Sequence, residues 1–239
     1  MSESAESSQV AEVCLFEDAL PKELFERLVH AVRSLGDERM KDNGSYTTTF
    51  WFPVGTDPTN VVEEAIVELI RQVDPGPECI GTEWWLGRLG YGKELRFHFD
   101  RDMVLEKKTG QTVHPLLASV LYLNTFPSSP TVVVDQVLGP DGKTRIPEEP
   151  EFGKSIEAVA NHYMVFPGNL RHGVTPDPES MRRDRSRKHK RKSAELRLTL
   201  LVNYWQRRPL APMCMDYDGS IYASLRDAGI ERAEKPTPK

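Results

Sequence analysis

From about residue 80 onward the chain is a succession of short strand-like runs: EWWLGRLGY, LRFHF, LLASVLYLN, TVVVDQVL, HYMVF and ELRLTLLVNYW. Turn-rich stretches (NTFPSSP, LGPDGK, FPGN, TPDP) separate them, and no helical pattern of useful length intervenes. That order predicts a mainly β protein, an antiparallel sandwich or barrel, preceded by a helical layer. Two amphipathic segments supply the layer. In LPKELFERLVHAVRSLG, Leu24, Leu28, Val29, Val32 and Leu35 share one face, Pro21 suits the first turn and Gly36 the stop. A second helix is expected to begin at Asp57–Pro58, with Val62, Ala65, Ile66, Leu69, Ile70 and Val73 as its stripe. Between them SYTTTFWFPV reads as a strand.

These features divide the chain into a polar tail (1–12), a helical support layer (13–79), a β core (80–210) and a C-terminal tail (211–239), effectively one domain. A short helix is expected near Ile221–Ala228. No apolar run approaches the ~20 residues that span a bilayer. The acidic N-terminus also lacks the pattern of a signal peptide, so a cytoplasmic protein without membrane contact is expected. Cys14, Cys79 and Cys214 have no metal-site or disulfide-framework spacing. The net charge of -5 conceals a local excess. Residues 182–192, RRDRSRKHKRK, hold eight Lys/Arg and one Asp, which leaves -12 on the rest of the chain. A uniformly basic nucleic-acid binder is excluded, while a local basic arm is not.

The sharpest motif is FHFDRD. On a strand the side-chain period is two, so His98 and Asp100 point to one side and Phe99 to the other. A third candidate is His172, in VFPGNLRHGVTP, where an apolar strand has ended in a Pro-Gly turn. Two imidazoles and a carboxylate can occupy one face of an octahedral iron and leave adjacent positions for an oxo-acid and dioxygen. Zinc catalytic sites use the same ligand types, so the set alone does not select the metal. In ELRLTLLVNYW, Leu196, Leu198, Leu200 and Val202 alternate with Arg197, Thr199, Leu201 and Asn203. An inward guanidinium needs an anionic partner, and a carboxylate gripped by its planar fork is the natural one. The alternative is an edge-strand arginine facing water.

From about Trp84 to Trp205 the chain resembles the iron(II)/2-oxoglutarate-dependent dioxygenases, especially the prolyl-4-hydroxylase-like group. The resemblance rests on His98-x-Asp100, SVLYLN, VFPGNLRHGVTP and RLT, in that order. It implies a double-stranded β-helix (jelly-roll) core. It also implies iron held by His98, Asp100 and His172, with 2-oxoglutarate and dioxygen as co-substrates. Arg197 and Tyr122 would hold the distal carboxylate of 2-oxoglutarate, and Thr199 would take the place of the family's Arg-x-Ser hydroxyl. An Asp at position 100 implies hydroxylation rather than halogenation. Leu95 stands where many relatives carry a tyrosine, SSPTVVVDQ replaces a Gly-Gly-Glu-Thr segment, and the basic run lengthens the gap from His172 to Arg197.

The expected substrate is a peptidyl or amino-acid side chain or a small metabolite. Trp51, Phe52, Trp84 and Trp85 either line an aromatic pocket or pack in the core. Asp135 and Gln136 either face substrate or end a strand, and the second is expected. Two other functions fit parts of the sequence: oxidation of nucleic acid or a nucleic-acid-bound protein through the basic run, and a non-catalytic jelly-roll that binds a ligand or metal. A zinc hydrolase would give Arg197 and Tyr122 no shared role. Oligomeric state is not encoded in any motif.

Overall fold

The computed structural model describes residues 12–35, 49–176, 196–212, 214–220, 222 and 225. The basic run 182–192 and most of the segment expected to be helical near Ile221–Ala228 lie outside them. The described residues are mostly β, with three helices and two large sheets.

The order begins β1 (Cys14–Phe16), α1 (Lys22–Ser34), β2 (Thr49–Pro53) and α2 (Val61–Val73). Then come β3 (Gly81–Leu89), β4 (Leu95–His98), α3 (Met103–Thr109), β5 (Leu117–Tyr122) and β6 (Phe126–Val134). A hairpin, β7 (Val137–Leu138) with β8 (Arg145–Ile146), precedes β9 (Gly153–Ala158) and β10 (Tyr163–Pro167). The last strands are β11 (Arg171–Val174), β12 (Arg197–Trp205) and β13 (Cys214–Asp216).

One sheet has the order β1-β10-β5-β12-β3-β2-β13 and the other β4-β11-β6-β9. Consecutive strands therefore pass repeatedly between the sheets. The sheets meet across an apolar interior in which Ala118, Val120, Met164 and Phe166 of the large sheet pack with Phe126, Val133 and Ile156 of the small one. The opposite face of the large sheet, with Trp84, Leu200, Val202 and Tyr204, packs against Leu28, Val32, Ala65, Ile66 and Leu69 of the two long helices.

β12 shows how this arrangement sorts side chains. Leu198, Leu200, Val202 and Tyr204 join the helix-side core, while Leu201 packs into the interior. Residues of the Arg197 and Asn203 phase therefore point into the space between the sheets.

Several elements differ from the sequence expectation. α2 begins at Val61 rather than at Pro58, because Asn60 caps it: Asn60 Oδ1 accepts from the backbone N–H groups of Val62 (2.9 Å) and Glu63 (3.1 Å). α3 interrupts a stretch expected to contain no helix. Seven residues make only two turns, too few to display a period. Asp102 Oδ1 accepts from Leu105 N at 2.8 Å, and Gly110 ends the helix at φ +75°.

β1 gives no sequence signal at three residues, and it pairs with β10. β6 starts inside NTFPSSP, read as a turn, with a register irregularity between Phe126 and Thr131 that accommodates the prolines. β9, GKSIEA, has too little apolar alternation to be recognised. The C-terminal segment adds β13 to the sheet edge, parallel to β2, and places Tyr217 against Phe50 and Trp84.

Candidate functional site

His98 is the last residue of β4, and Asp100 follows two residues later. His172 is the second residue of β11, directly opposite His98 in the antiparallel ladder. Gly173 permits that approach: a Cβ there would come 2.8 Å from the Leu95 carbonyl oxygen and 3.1 Å from Phe97 backbone atoms. Any larger residue would push β4 away from β11 and separate the two imidazoles. The sequence reading did not single out Gly173, whose only signal is its place beside His172.

The ligand atoms of His98, Asp100 and His172 all lie within 4.8 Å of one another. His98 Nε2 is 3.5 Å from Asp100 Oδ1, and His172 Nε2 is 3.7 Å from Asp100 Oδ2. Each imidazole donates its Nδ1–H to a backbone carbonyl two residues back: His98 to Arg96 O (2.9 Å) and His172 to Leu170 O (3.1 Å). With each Nδ1 bonded to the backbone, both Nε2 atoms face the carboxylate, the orientation a histidine needs as a metal ligand.

Burial would raise the pKa of Asp100, but the charge of His172 and the bond and charge of His98 outweigh it, holding the carboxyl well below its usual range. For His98, burial is outweighed by Asp100, and its pKa is raised. Burial lowers that of His172. With their Nε2 protons displaced by an ion, the two imidazoles and the carboxylate, preorganised around one point, suit a divalent transition metal.

The second cluster lies farther along the same interior. Arg197 is 4% exposed; its Nη2 donates to Thr131 Oγ1 at 2.6 Å, and its guanidinium lies 5.1 Å from the centre of the Tyr122 ring. Tyr122 Oη donates to the same Thr131 oxygen at 2.9 Å. Burial raises the Tyr122 pKa, so the phenol keeps its proton. The edge-strand, water-facing alternative for Arg197 is thereby excluded. Thr199 is buried on the same strand face, directly opposite Tyr122 in the ladder.

Thr131 was missed in the sequence reading. It ends SSPT, the segment that stands in place of Gly-Gly-Glu-Thr, and its threonine was the available signal. Val133 of β6 pairs with His172, and Thr131 lies two residues along the strand on the same face. The two clusters are therefore separated along β6 by one pleat repeat, about 7 Å.

The remaining candidates fall elsewhere. Trp84 and Phe52 belong to the helix-side core, and Trp51 packs with Trp205. Trp85 is the exception: half-buried and opposite Leu201 in the ladder, it stands on the interior face of the large sheet. Leu95 pairs with Val174. Asp135 follows the end of β6 and accepts from the backbone N–H groups of Glu151 and Phe152, both at 3.1 Å. Gln136 is fully buried, donates to the carbonyls of Pro147 and Glu148, and accepts from Arg171. Both residues thus hold the base of the 137–152 excursion.

A buried carboxyl not anticipated from sequence, Glu83, pairs with Asn203 in the β3–β12 ladder. It accepts from Thr49 Oγ1 (2.5 Å) and Trp205 Nε1 (3.1 Å). Burial, then the nearby charges of Asp100 and Asp102, push its pKa from the ordinary 4.5 up to about 7, against the lowering effect of those donors. The folded state therefore holds a proton that the unfolded state releases above pH 4.5. Stability is fully present below that value and falls as pH rises through about 7, by roughly 3 kcal/mol for this group. Glu83→Gln is expected to flatten that part of the stability–pH curve in denaturant titrations. A slope equal to the parent's would show that Glu83 is not the responsible group.

No helix among the described residues is long and apolar enough to cross a membrane. No family model matches the chain, and no curated protein matches it in sequence. Among solved structures, similarity is found to a Pseudomonas putida prolyl-4-hydroxylase, at 16% identity and a TM-score of 0.48, covering 82% of this chain and 92% of that one. It is also found to a prolyl hydroxylase from Trichoplax adhaerens in complex with a hypoxia inducible factor peptide fragment, at 14% and 0.44, covering 81% and 83%. A third is AviO1 from Streptomyces viridochromogenes, at 16% and 0.47, covering 81% and 89%. These are likenesses of overall shape.

Proposed function

We propose that this chain is an iron(II)/2-oxoglutarate-dependent oxygenase with a double-stranded β-helix core, hydroxylating a C–H bond of a peptide side chain or small molecule. One observation carries the reading: a His-Asp-His cluster and a buried Arg-Tyr-Thr cluster share one interior, one pleat repeat apart along β6. A metal centre alone would fit a zinc hydrolase or a structural site. The paired clusters fit a five-carbon dicarboxylate that chelates a metal at one end and presents a carboxylate at the other.

In this reading His98, Asp100 and His172 hold the metal through the two Nε2 atoms and a carboxylate oxygen. Bound iron with 2-oxoglutarate and dioxygen supplies the oxidising chemistry, which converts 2-oxoglutarate to succinate and carbon dioxide and delivers an oxygen atom to the substrate. The protein's own part is positioning. Arg197 receives the distal carboxylate, and their attraction is screened less in this buried setting than in water. Tyr122 Oη and Thr131 Oγ1, already hydrogen-bonded to each other, place two hydroxyls beside the guanidinium. Thr199 fills the same face opposite Tyr122. Val120, Val133 and Phe166 belong to the same apolar interior as Tyr122.

The deciding experiment is anaerobic addition of 2-oxoglutarate to the iron(II)-loaded protein. A visible metal-to-ligand charge-transfer band is expected, together with succinate release once oxygen is admitted. A protein that binds iron(II) but develops no band would instead be a hydrolase or a non-catalytic metal binder.

A further inference from the structure

Asp100 lies beyond the last ladder residue of β4, so the sheet does not fix its carboxylate. Other groups do. Asn203, 3% exposed on β12, donates from Nδ2 to Asp100 Oδ2 at 3.0 Å. His114 donates from Nδ1 to the Asp100 backbone oxygen at 2.6 Å. The next acid, Asp102, donates its N–H to Val113 O at 2.9 Å, and its Oδ2 accepts from Leu210 N (3.1 Å) and Arg207 Nη2 (3.3 Å). The turn that carries Asp100 is thus tied to β12 and the chain just after it.

An aspartate side chain turns easily about its last torsion, and its two oxygens are equivalent until something distinguishes them. Here one amide does. Oδ2 is engaged by Asn203 at 3.0 Å and lies 3.7 Å from His172 Nε2, while Oδ1 faces His98 Nε2 at 3.5 Å. Asn203 has Glu83 opposite it in the ladder, but that carboxyl is turned to Thr49 and Trp205 instead. The amide therefore serves Asp100 without adding a charge to a site that already holds Glu83, Asp100 and Asp102.

We propose that Asn203 is a positioning residue for the metal centre: its amide donor, bonded to Oδ2, fixes the orientation in which the Asp100 carboxylate meets the ion between the two imidazoles. The inference rests on the metal-binding part of the reading above and deepens it; it does not depend on the oxidative chemistry. Partners of this kind orient a metal-bound carboxylate, and their loss weakens metal binding about 10- to 100-fold.

The test uses the full chain without 2-oxoglutarate. Mn(II) affinity is measured by electron paramagnetic resonance, and the coordination of Co(II) by its visible ligand-field spectrum. Asn203→Ala should bind Mn(II) about 10- to 100-fold more weakly and shift the Co(II) bands. Asn203→Asp, nearly isosteric but lacking the donor and adding a negative charge beside Oδ2, should disturb the Co(II) spectrum more. This variant keeps the test open if the alanine variant folds poorly. Parental Mn(II) affinity and an unchanged Co(II) spectrum in both variants would overturn the role of Asn203. A parent that binds neither ion overturns it together with the metal reading. A parent that binds Mn(II), variants that bind it poorly, and no band with iron(II) and 2-oxoglutarate would uphold Asn203 and sink only the oxygenase.

Discussion

His98→Ala is expected to abolish succinate formation, with a loss on the order of 1,000-fold or more, while leaving a folded protein. The magnitude follows from removing one of three ligands to an ion that contributes several kcal/mol to the reaction, since each 1.36 kcal/mol is a factor of ten in rate. His98 is the informative ligand to remove because its side chain is 38% exposed, against 7% for His172. The His172 ring also lies 4.9 Å from Phe166, so its deletion would open a gap in packed structure. Iron content, the charge-transfer band and turnover should fall together in His98→Ala, with the circular dichroism spectrum unchanged. Parental iron content together with full turnover would remove His98 from the site.

The second large effect concerns Arg197. Replacement by alanine is expected to raise the Kd for 2-oxoglutarate by about 100- to 1,000-fold, the loss of a charge-assisted bidentate grip in a buried setting. Metal affinity without 2-oxoglutarate should remain that of the parent, because Arg197 is held by Thr131 and Tyr122 in the second cluster. Lysine should not restore binding, since one ammonium cannot reproduce the planar fork. Tyr122→Phe and Thr131→Val each remove a single hydroxyl and should cost about tenfold. Isothermal titration with 2-oxoglutarate on the Mn(II)-loaded protein separates these cases. If Arg197→Ala binds 2-oxoglutarate as the parent does, the distal carboxylate is held elsewhere and the two-cluster reading falls.

The geometry of the candidate site was legible in the sequence to the extent that it depends on local period. His98-x-Asp100 and the Arg197/Thr199 alternation lie within single extended segments, where side-chain direction follows from the backbone repeat. Residues joined only by pairing were not legible. Thr131 and Tyr122 meet through one hydroxyl pair across nine residues, including a register irregularity no local pattern announces. Asn203 looked like one more residue on a polar strand face, and its bond to Asp100 spans 103 positions. Glu83 lay in an aromatic strand and gave no sign that burial would shift its titration.

By itself, the sequence determined the class of elements, the apolar stripes of the two long helices, the two-faced alternation of β12 and the kinds of donor available. All of these follow from the repeats of helix and strand acting on neighbouring residues. Only the tertiary structure decided the start of α2, the existence of β1, β9 and α3, and the encounter of His98 with His172 across a ladder that Gly173 keeps open. It also decided which hydroxyls and amides reach Arg197 and Asp100. Those outcomes depend on strand register and close packing between residues far apart in the chain, where the energy of a contact is set by partners the local sequence does not contain.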